Sequence, residues 1–543
     1  MNIIPETLRA GSALAEDYVQ GTDRVLELYG YHFRQTEDYK TRVERLDEME
    51  AQRIDRQAVV HCLRIYNQQH NGHAEVMESL DRLSRSDALV IVGGQQSGLF
   101  TGQLLVIYKA ATIIKAAHEA EQRLGRPVVP VFWVAGEDHD WDEVNHTYIM
   151  NGEPEAVKIK LRVQPERRNS VSYIPLSPAH KEEALLELER LLPDAEYKAD
   201  VLQQVRTAFM DSQYLSDAFA KMLGQFFGRY GLVLLDSADP ELRKLELPVF
   251  RRMIESNDEL EAAYQMAARQ IEDAGYGIQA EVAEGGANLF YINKGERLLL
   301  FKQNGVYGDR RGQVRFTKEE LLEELERHPE RFSNNVLTRP LMQDSLLPVL
   351  ATVLGHGEIS YWAITRKAFE VLGLEMPILQ PRMSFTLIEP NVHKHMEGYG
   401  LTFQHILDGL EPLKDKWLSA QDSLHMEEEF AALRQELFQL YEPVIERAGR
   451  IEKGLIPLGE KNRDKIAEQL DFMEARVRAA LVRKHETALR QWDLMGISLL
   501  PLGRPQERVY SIYQYTSRYG EGLVHGIMNL SLDWEHIHRT IYL

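Results

Sequence analysis

The sequence predicts an α/β protein: a parallel-sheet core interrupted by two insertions, plus an α-helical antiparallel coiled-coil arm. Three observations predict it. Short apolar, β-branched runs near 89–92 and 128–134 enclose a glycine-rich turn and a stretch with Leu104, Leu105, Ile107, Ala111 and Ile114 at helical spacing, which reads as a βαβ unit. Two further apolar runs, Tyr230–Asp236 and Met376–Phe385, return only after long intervening segments, so the sheet is interrupted twice. Beyond Pro390, Phe430, Leu433, Leu437, Leu440, Tyr441 and Val444, then Ile466, Leu470, Met473, Val477 and Leu481, recur at three- and four-residue steps among charged residues.

Residues 1–86 read as a charged N-terminal helical layer, in which His61, His70 and His73 are packed or solvated rather than metal-bound. The core spans 87–388, with insertions at about 147–227 and 275–332. The second carries a hairpin about Asn293-Lys294-Gly295. Residues 389–501 form the arm, with Pro457 and Gly459 marking its bend. A two-helix hairpin cannot cover its own apolar stripe, so a second copy is expected to do so, giving a homodimer. Residues 502–543 return to the core.

Composition limits the function. At 543 residues, 44% hydrophobic and 27% charged, the chain is long enough for a large buried core. The charge, 63 − 83 = −20, argues against nucleic-acid or anionic-membrane partners, so an anionic ligand must meet local cations such as Arg339, Arg366 and Arg382. A single cysteine, Cys62, excludes an internal disulfide and a cysteine-built metal centre. With no leader-like start and no run of transmembrane length, a cytoplasmic protein is expected.

The chemistry is expected where three loops follow apolar strands: Gly94–Gly102, Gly136–His146 and Gln380–Ser384. In open α/β sheets, ligands bind at the carboxyl ends of strands. The first loop is neither a dinucleotide fingerprint nor a Walker loop, yet its glycines and the helix start behind it suit an anion such as phosphate or carboxylate. The second gathers Glu137, Asp138, His139 and Asp140.

Together, Gly-Gln-Gln-Ser-Gly-Leu-Phe-Thr-Gly (94–102), Phe-Trp-Val-Ala-Gly-Glu-Asp-His-Asp (132–140), Thr-Arg-Pro-Leu-Met-Gln-Asp (338–344) and the long arm resemble the bacillithiol-biosynthesis cysteine-adding enzymes, the BshC family, over essentially the whole chain. The resemblance implies a Rossmann-like core related to class I aminoacyl-tRNA synthetases with two connecting-peptide-like insertions, a dimerising coiled coil, and addition of L-cysteine to the amine of glucosaminyl malate. It sets Leu99–Gln103 in the place of the synthetases' His-Ile-Gly-His motif and Arg382-Met383-Ser384 in that of their Lys-Met-Ser-Lys-Ser loop. Neither motif histidine is present, and Arg382 and Phe385 stand for the lysines. Cysteine activation through an adenylate or through a phosphate is therefore open.

On that footing His139, with Asp138, is the candidate base or amine-orienting group, and Arg382 the third catalytic candidate. The acidic loop could instead hold Mg²⁺. Gln96, Ser97, Thr101, Gly102, Trp133, Asn335, Arg339 and Ser384 are assigned to substrate, Ser97 and Thr101 reading equally well as helix caps. Gly503, Arg504, Arg508 and Tyr510 are assigned to a nucleotide, ATP or its product ADP or AMP, with arginines for phosphate and the tyrosine for the ring. A nucleotidyltransferase on another small acid and a non-catalytic nucleotide-binding dimer scaffold are the competing readings.

Overall fold

The computed structural model describes residues 2–8, 11–535 and 537–543. It divides into two compact units, Met1–Leu387 with Arg504–Leu543, and Ile388–Gly503.

The first unit is built on five parallel strands: β1 (Leu89–Gln95), β2 (Val128–Val134), β3 (Val233–Asp236), β4 (Val349–Leu354) and β5 (Ile378–Pro381). Their order across the sheet is β5-β4-β1-β2-β3. The order reverses between β1 and β4, the topological switch point at which such sheets open a crevice. The strands are buried along almost their whole length, which explains why they read as continuous apolar runs rather than alternating ones. Helix α1 (Leu104–Leu124) crosses from β1 to β2 and stops at Gly125, whose φ of 67° is the left-handed cap geometry.

The insertions are structured. Between β2 and β3 lie a hairpin (His146–Met150 with Ala156–Lys160) and three helices, Pro178–Leu191, Lys198–Met210 and Leu215–Phe227. Between β3 and β4 a separate five-stranded antiparallel sheet forms, from Gly286–Asn293 to Phe332–Asn334. Its first turn is the expected one: Lys294 and Gly295 both take positive φ, 50° and 80°, as a two-residue hairpin turn requires. A third sheet joins the chain ends: Asn2–Glu6, His538–Tyr542 and Ser384–Ile388. Thus the N-terminal layer, expected as helical, also opens with a strand whose partner lies at the opposite end of the chain.

In the second unit, helices Met426–Ile451 and Leu455–Lys484 form the long pair. The bend lies at 452–454, earlier than Pro457 and Gly459 suggested. Pro457 sits in the first turn of the second helix, where a missing N–H costs nothing. Gly459 is a point of close approach, since a Cβ there would stand 2.8 Å from Ile445. Among the described residues no helix is long and apolar enough to cross a membrane.

Candidate active site

The loop after β1 is shaped by its backbone. Gly94 faces the carbonyl of Trp133, 2.7 Å from where a Cβ would stand, and Gly98 closes against the Cα of Gly102 at the same separation. Phe100, Thr101 and Gly102 follow with φ of 51°, 63° and 68°, two of them in a region that side chains avoid. Such strain persists only where the surroundings impose it. Here Ser511 holds the carbonyl of Phe100 at 3.2 Å and the carbonyl of Tyr510 takes the Leu104 N–H at 2.8 Å. One donor at the start of α1, expected to meet an anion, is therefore already occupied by the chain itself.

The loop after β2 supplies the reactive-looking groups. Gln96 donates from Nε2 to Asp138 Oδ2 (2.5 Å) and to Glu143 Oε2 (2.7 Å), tying the first loop to the second. Asp138 Oδ1 accepts the His139 backbone N–H at 2.7 Å. Arg297, from the second insertion, reaches His139 Nδ1 at 3.0 Å. The same guanidinium is held by Ser333 Oγ (2.9 Å) and the Asn334 carbonyl (2.5 Å), lies 3.8 Å over the Phe290 ring, and stands 3.7 Å from Asp138 Oδ1. Behind it, Glu137 bonds Arg243 (2.5 Å) and the Asn334 N–H (3.1 Å), and Arg243 also holds Glu246 at 2.5 Å. This buried network fixes the loop from below.

Burial, and then Arg297, pull the His139 imidazole below the usual histidine range, with Asp138 opposing. Burial likewise brings the Arg297 guanidinium down to about 10, still cationic at neutral pH. His139 lines a cleft of about 790 Å³ whose walls include Trp141, Lys160, Arg162, Arg167 and Arg168. That volume suits a small polar metabolite; Asp140, Asp142 and Glu166 share the lining, Lys160 stands 3.3 Å from Asp142 and Arg162 2.7 Å from Glu183, so Arg167 and Arg168 are the cations on this wall better placed to meet an anion.

At the other end of the sheet edge the groups are closed on one another. Arg382 meets Glu507 through both terminal nitrogens at 2.7 Å and is 6% exposed, so its fork has no position left for a substrate. Ser384 bonds His538 Nδ1 at 2.7 Å, while the opposite ring nitrogen meets Thr386 at 3.1 Å. Burial pushes His538 and His356 down to about 4. Lys109, buried on α1, is held by the Gly94 carbonyl (2.7 Å), Gln95 (3.0 Å) and Glu358 (2.6 Å). The structure thus brings Gln96, Asp138 and His139 together and gives Arg382 and Ser384 a structural position.

The remaining expectations are revised one by one. Neither Ser97 nor Thr101 caps α1: Thr101 donates to the Phe100 carbonyl at 2.7 Å, and Ser97 Oγ is buried without a partner. Gly102 serves the strained turn. Trp133 is fully buried with its Nε1 unpartnered, so its ring is core beneath the crevice. Asn335 bonds Asn288 (3.0 Å) and accepts from Leu337 and Thr338, shaping the turn before Arg339–Leu346. Arg339 reaches Gln343 at 3.0 Å. Tyr510 is 0% exposed and has no face for a nucleotide ring, although Arg504 and Arg508 are exposed. Gly503, with φ of 69°, ends the other unit. In the acidic loop, where Mg²⁺ was one expectation, Glu137 faces Arg243, Asp138 faces Gln96, and Asp140 caps the Glu143 N–H at 3.3 Å. Among the described residues no group of three or more His, Cys, Asp or Glu converges on one point.

Sequence reasoning missed Arg297 and Asn334. Arg297 follows the hairpin turn by two residues and Asn334 ends the strand paired to the same hairpin. Asn334 is 2% exposed with both carboxamide atoms unpartnered, beside the Arg297 and Glu137 contacts made by its own backbone.

Residues 1–383 match the family described as "Bacillithiol biosynthesis BshC, N-terminal Rossmann-like domain", and residues 385–543 its "C-terminal coiled-coil domain". Among curated relatives, "Putative cysteine ligase BshC" of Geobacillus sp. (strain WCH70) is 35% identical over the full length of both chains. The proteins of that name in Bacillus cytotoxicus and Geobacillus thermodenitrificans are 33% and 34% identical, covering 97% and 100% of each chain. With both of its domains matched and relatives aligned end to end, the chain belongs to the BshC family.

Proposed function

We propose that the chain is an amide-forming ligase that joins the carboxyl group of L-cysteine to the amine of glucosaminyl malate. The observation that carries this reading is the Gln96–Asp138–His139–Arg297 cluster, whose His139 lines a cleft that also carries Arg167 and Arg168, in a chain whose full-length relatives bear a cysteine-ligase name. Amide formation requires an activated carboxyl carbon, a neutral amine and a place for the proton that leaves nitrogen. The half-exposed Asp138 carboxylate is suited to orient the amine and receive that proton. Arg167 and Arg168 are suited to the malate carboxylates, because a guanidinium matches a carboxylate bidentately. ATP, when bound, supplies the leaving group that activates the cysteine carboxyl. Lys160 and Arg162 line the same cleft, where its phosphates would have to displace Asp142 and Glu183 from them.

The test is a coupled product assay. Cysteine, glucosaminyl malate and ATP should give bacillithiol with one nucleotide consumed per amide, and Asp138→Asn should lower the rate about 10²-fold. A chain that consumed ATP equally well without the amine, or an Asp138→Asn protein with full turnover, would sink the assignment.

The arm supports a second element of the same reading, a homodimer. Leu440 is 73% exposed and Ile451 86%, with Val444 and Leu433 on the same three-to-four-residue spacing. A helical seam of that kind is covered by another helix, and a second copy brings an identical one. Light scattering should give twice the 62.6 kDa chain mass, falling to one chain in Leu440→Glu/Val444→Glu. A wild-type monomer at micromolar concentration would end that proposal.

A further inference from the structure

The contact between Arg297 and His139 fixes more than position. A guanidinium has five N–H donors and no acceptor. The ring nitrogen it meets at 3.0 Å, Nδ1, must therefore present a lone pair. A neutral imidazole carries its one proton on the other nitrogen, so Nε2 is an N–H. An imidazolium would set N–H against N–H at that distance and add a second positive charge beside the first.

Arg297 cannot swing away to allow this. Its Nε and its second terminal nitrogen are held by Ser333 and the Asn334 carbonyl, and the Phe290 ring lies against its face. The other charges around the imidazole are Asp138, with Oδ1 3.7 Å from Nδ1, then Asp140 and Arg168. Asp138 is turned toward Gln96 and the His139 backbone N–H, and its distance from Nδ1 is too long for a hydrogen bond that could hold a proton there.

We infer that Arg297 locks His139 as the neutral Nε2–H tautomer, so that the imidazole serves the cleft as a hydrogen-bond donor to a substrate oxygen and not as the base. The oxygen it suits is one on which negative charge grows as the amine adds to the activated carboxyl: the carbonyl oxygen of the tetrahedral species, or an oxygen of the departing group. A neutral imidazole polarising a carbonyl in this way is established chemistry. Arg297 is then a positioning residue, acting through His139, and the amine's proton is left to a carboxylate. The inference rests on the proposal that the amide forms in this cleft. It changes the role that sequence reasoning gave to His139.

The test has one arm that needs no substrate. In protein labelled with ¹⁵N in its histidine rings, the signal absent from His139→Gln identifies His139. It should show a bare Nδ1 and a protonated Nε2 from pH 8 down to pH 5.5. Arg297→Lys, which keeps a cationic donor, should retain that state; Arg297→Met should let the ring take up a proton near neutral pH. A wild-type ring protonated on Nδ1, or one titrating to imidazolium between pH 6 and 7, overturns the tautomer assignment whether or not the chain is a cysteine ligase.

The second arm is turnover. Glutamine offers an N–H but cannot act as a base. His139→Gln should keep activity within about tenfold of wild type, while His139→Ala loses about 10²–10³-fold, the usual cost of removing one such donor. Equal losses in the two variants overturn the donor role even if the tautomer stands.

Discussion

Two arginines stand at the carboxyl edge of one sheet, both nearly buried, and their partners differ in kind. Arg382 meets a carboxylate, Glu507, with a bidentate pair of bonds. Arg297 is bonded to three neutral acceptors, a hydroxyl, a carbonyl and an imidazole, with the nearest carboxylate oxygen at 3.7 Å. The effect on the two charges is opposite. Glu507 outweighs burial and holds the Arg382 guanidinium above its ordinary value, whereas burial prevails at Arg297 and lowers it. A neutralised charge builds scaffold. A charge held by neutral groups keeps its field, and that field bears on His139 and on whatever enters the cleft beside it.

The comparison breaks first at Arg382. Arg382→Ala leaves Glu507 buried without its cation, and removing one partner of a buried pair costs about 3–5 kcal/mol. Urea unfolding should show a loss of that size. Replacing both partners by apolar residues, Arg382→Met with Glu507→Leu, should recover most of it, because the uncompensated charge is then gone. If Arg382→Ala left stability unchanged and abolished turnover, Arg382 would be a substrate ligand and the two arginines would not differ as described.

How much of this was legible in the sequence depends on how far apart the contributing segments lie. The β1–α1–β2 unit is local: its glycines, apolar runs and helical spacing are consecutive, and each follows from backbone sterics and burial. The acidic loop at 136–140 was legible as a feature, since its charges are consecutive and follow an apolar strand, but the structural duties of Glu137 and Asp140 were not. Arg297 was not, because it stands 158 positions from His139 and on a hairpin that reads as an ordinary surface ribbon. Nor was the pairing of Arg382 with Glu507, 125 positions away, without which a lone arginine in a loop looks like an anion ligand. Tyr510 misled for the same reason. A Pro/Gly-framed segment reads as exposed, but this one seats its carbonyl on the first N–H of α1. Pro457 and Gly459 carried a turn signal, while in the folded arm one fits a first helical turn and the other a close helix contact. In each case tertiary partners distant in sequence settled what composition left open.

A third charge on the same edge sharpens the contrast from the acidic side. Asp236 ends β3, is buried, and accepts the Ala238 N–H at 2.9 Å and the Ser172 hydroxyl at 2.7 Å, both neutral donors. Burial raises its carboxyl to about 6 from an ordinary value of 3.8. The folded protein thus holds this proton more tightly than the unfolded chain, so the contribution of Asp236 to stability falls as pH rises from about 4 to about 6 and stays low above that. At about 1.4 kcal/mol per unit, the shift corresponds to roughly 2–3 kcal/mol. Asp236→Asn keeps an acceptor for the Ala238 N–H and removes the charge. It should be more stable than wild type by about 1–3 kcal/mol at pH 7 and nearly equal to it at pH 4, as read from urea midpoints at the two pH values. A gain of the same size at both would mean that packing, not charge, separates the variants. A loss at pH 7 would mean that the ionised carboxylate is stabilised there, and Asp236 would join Arg382 among the charges that the scaffold neutralises.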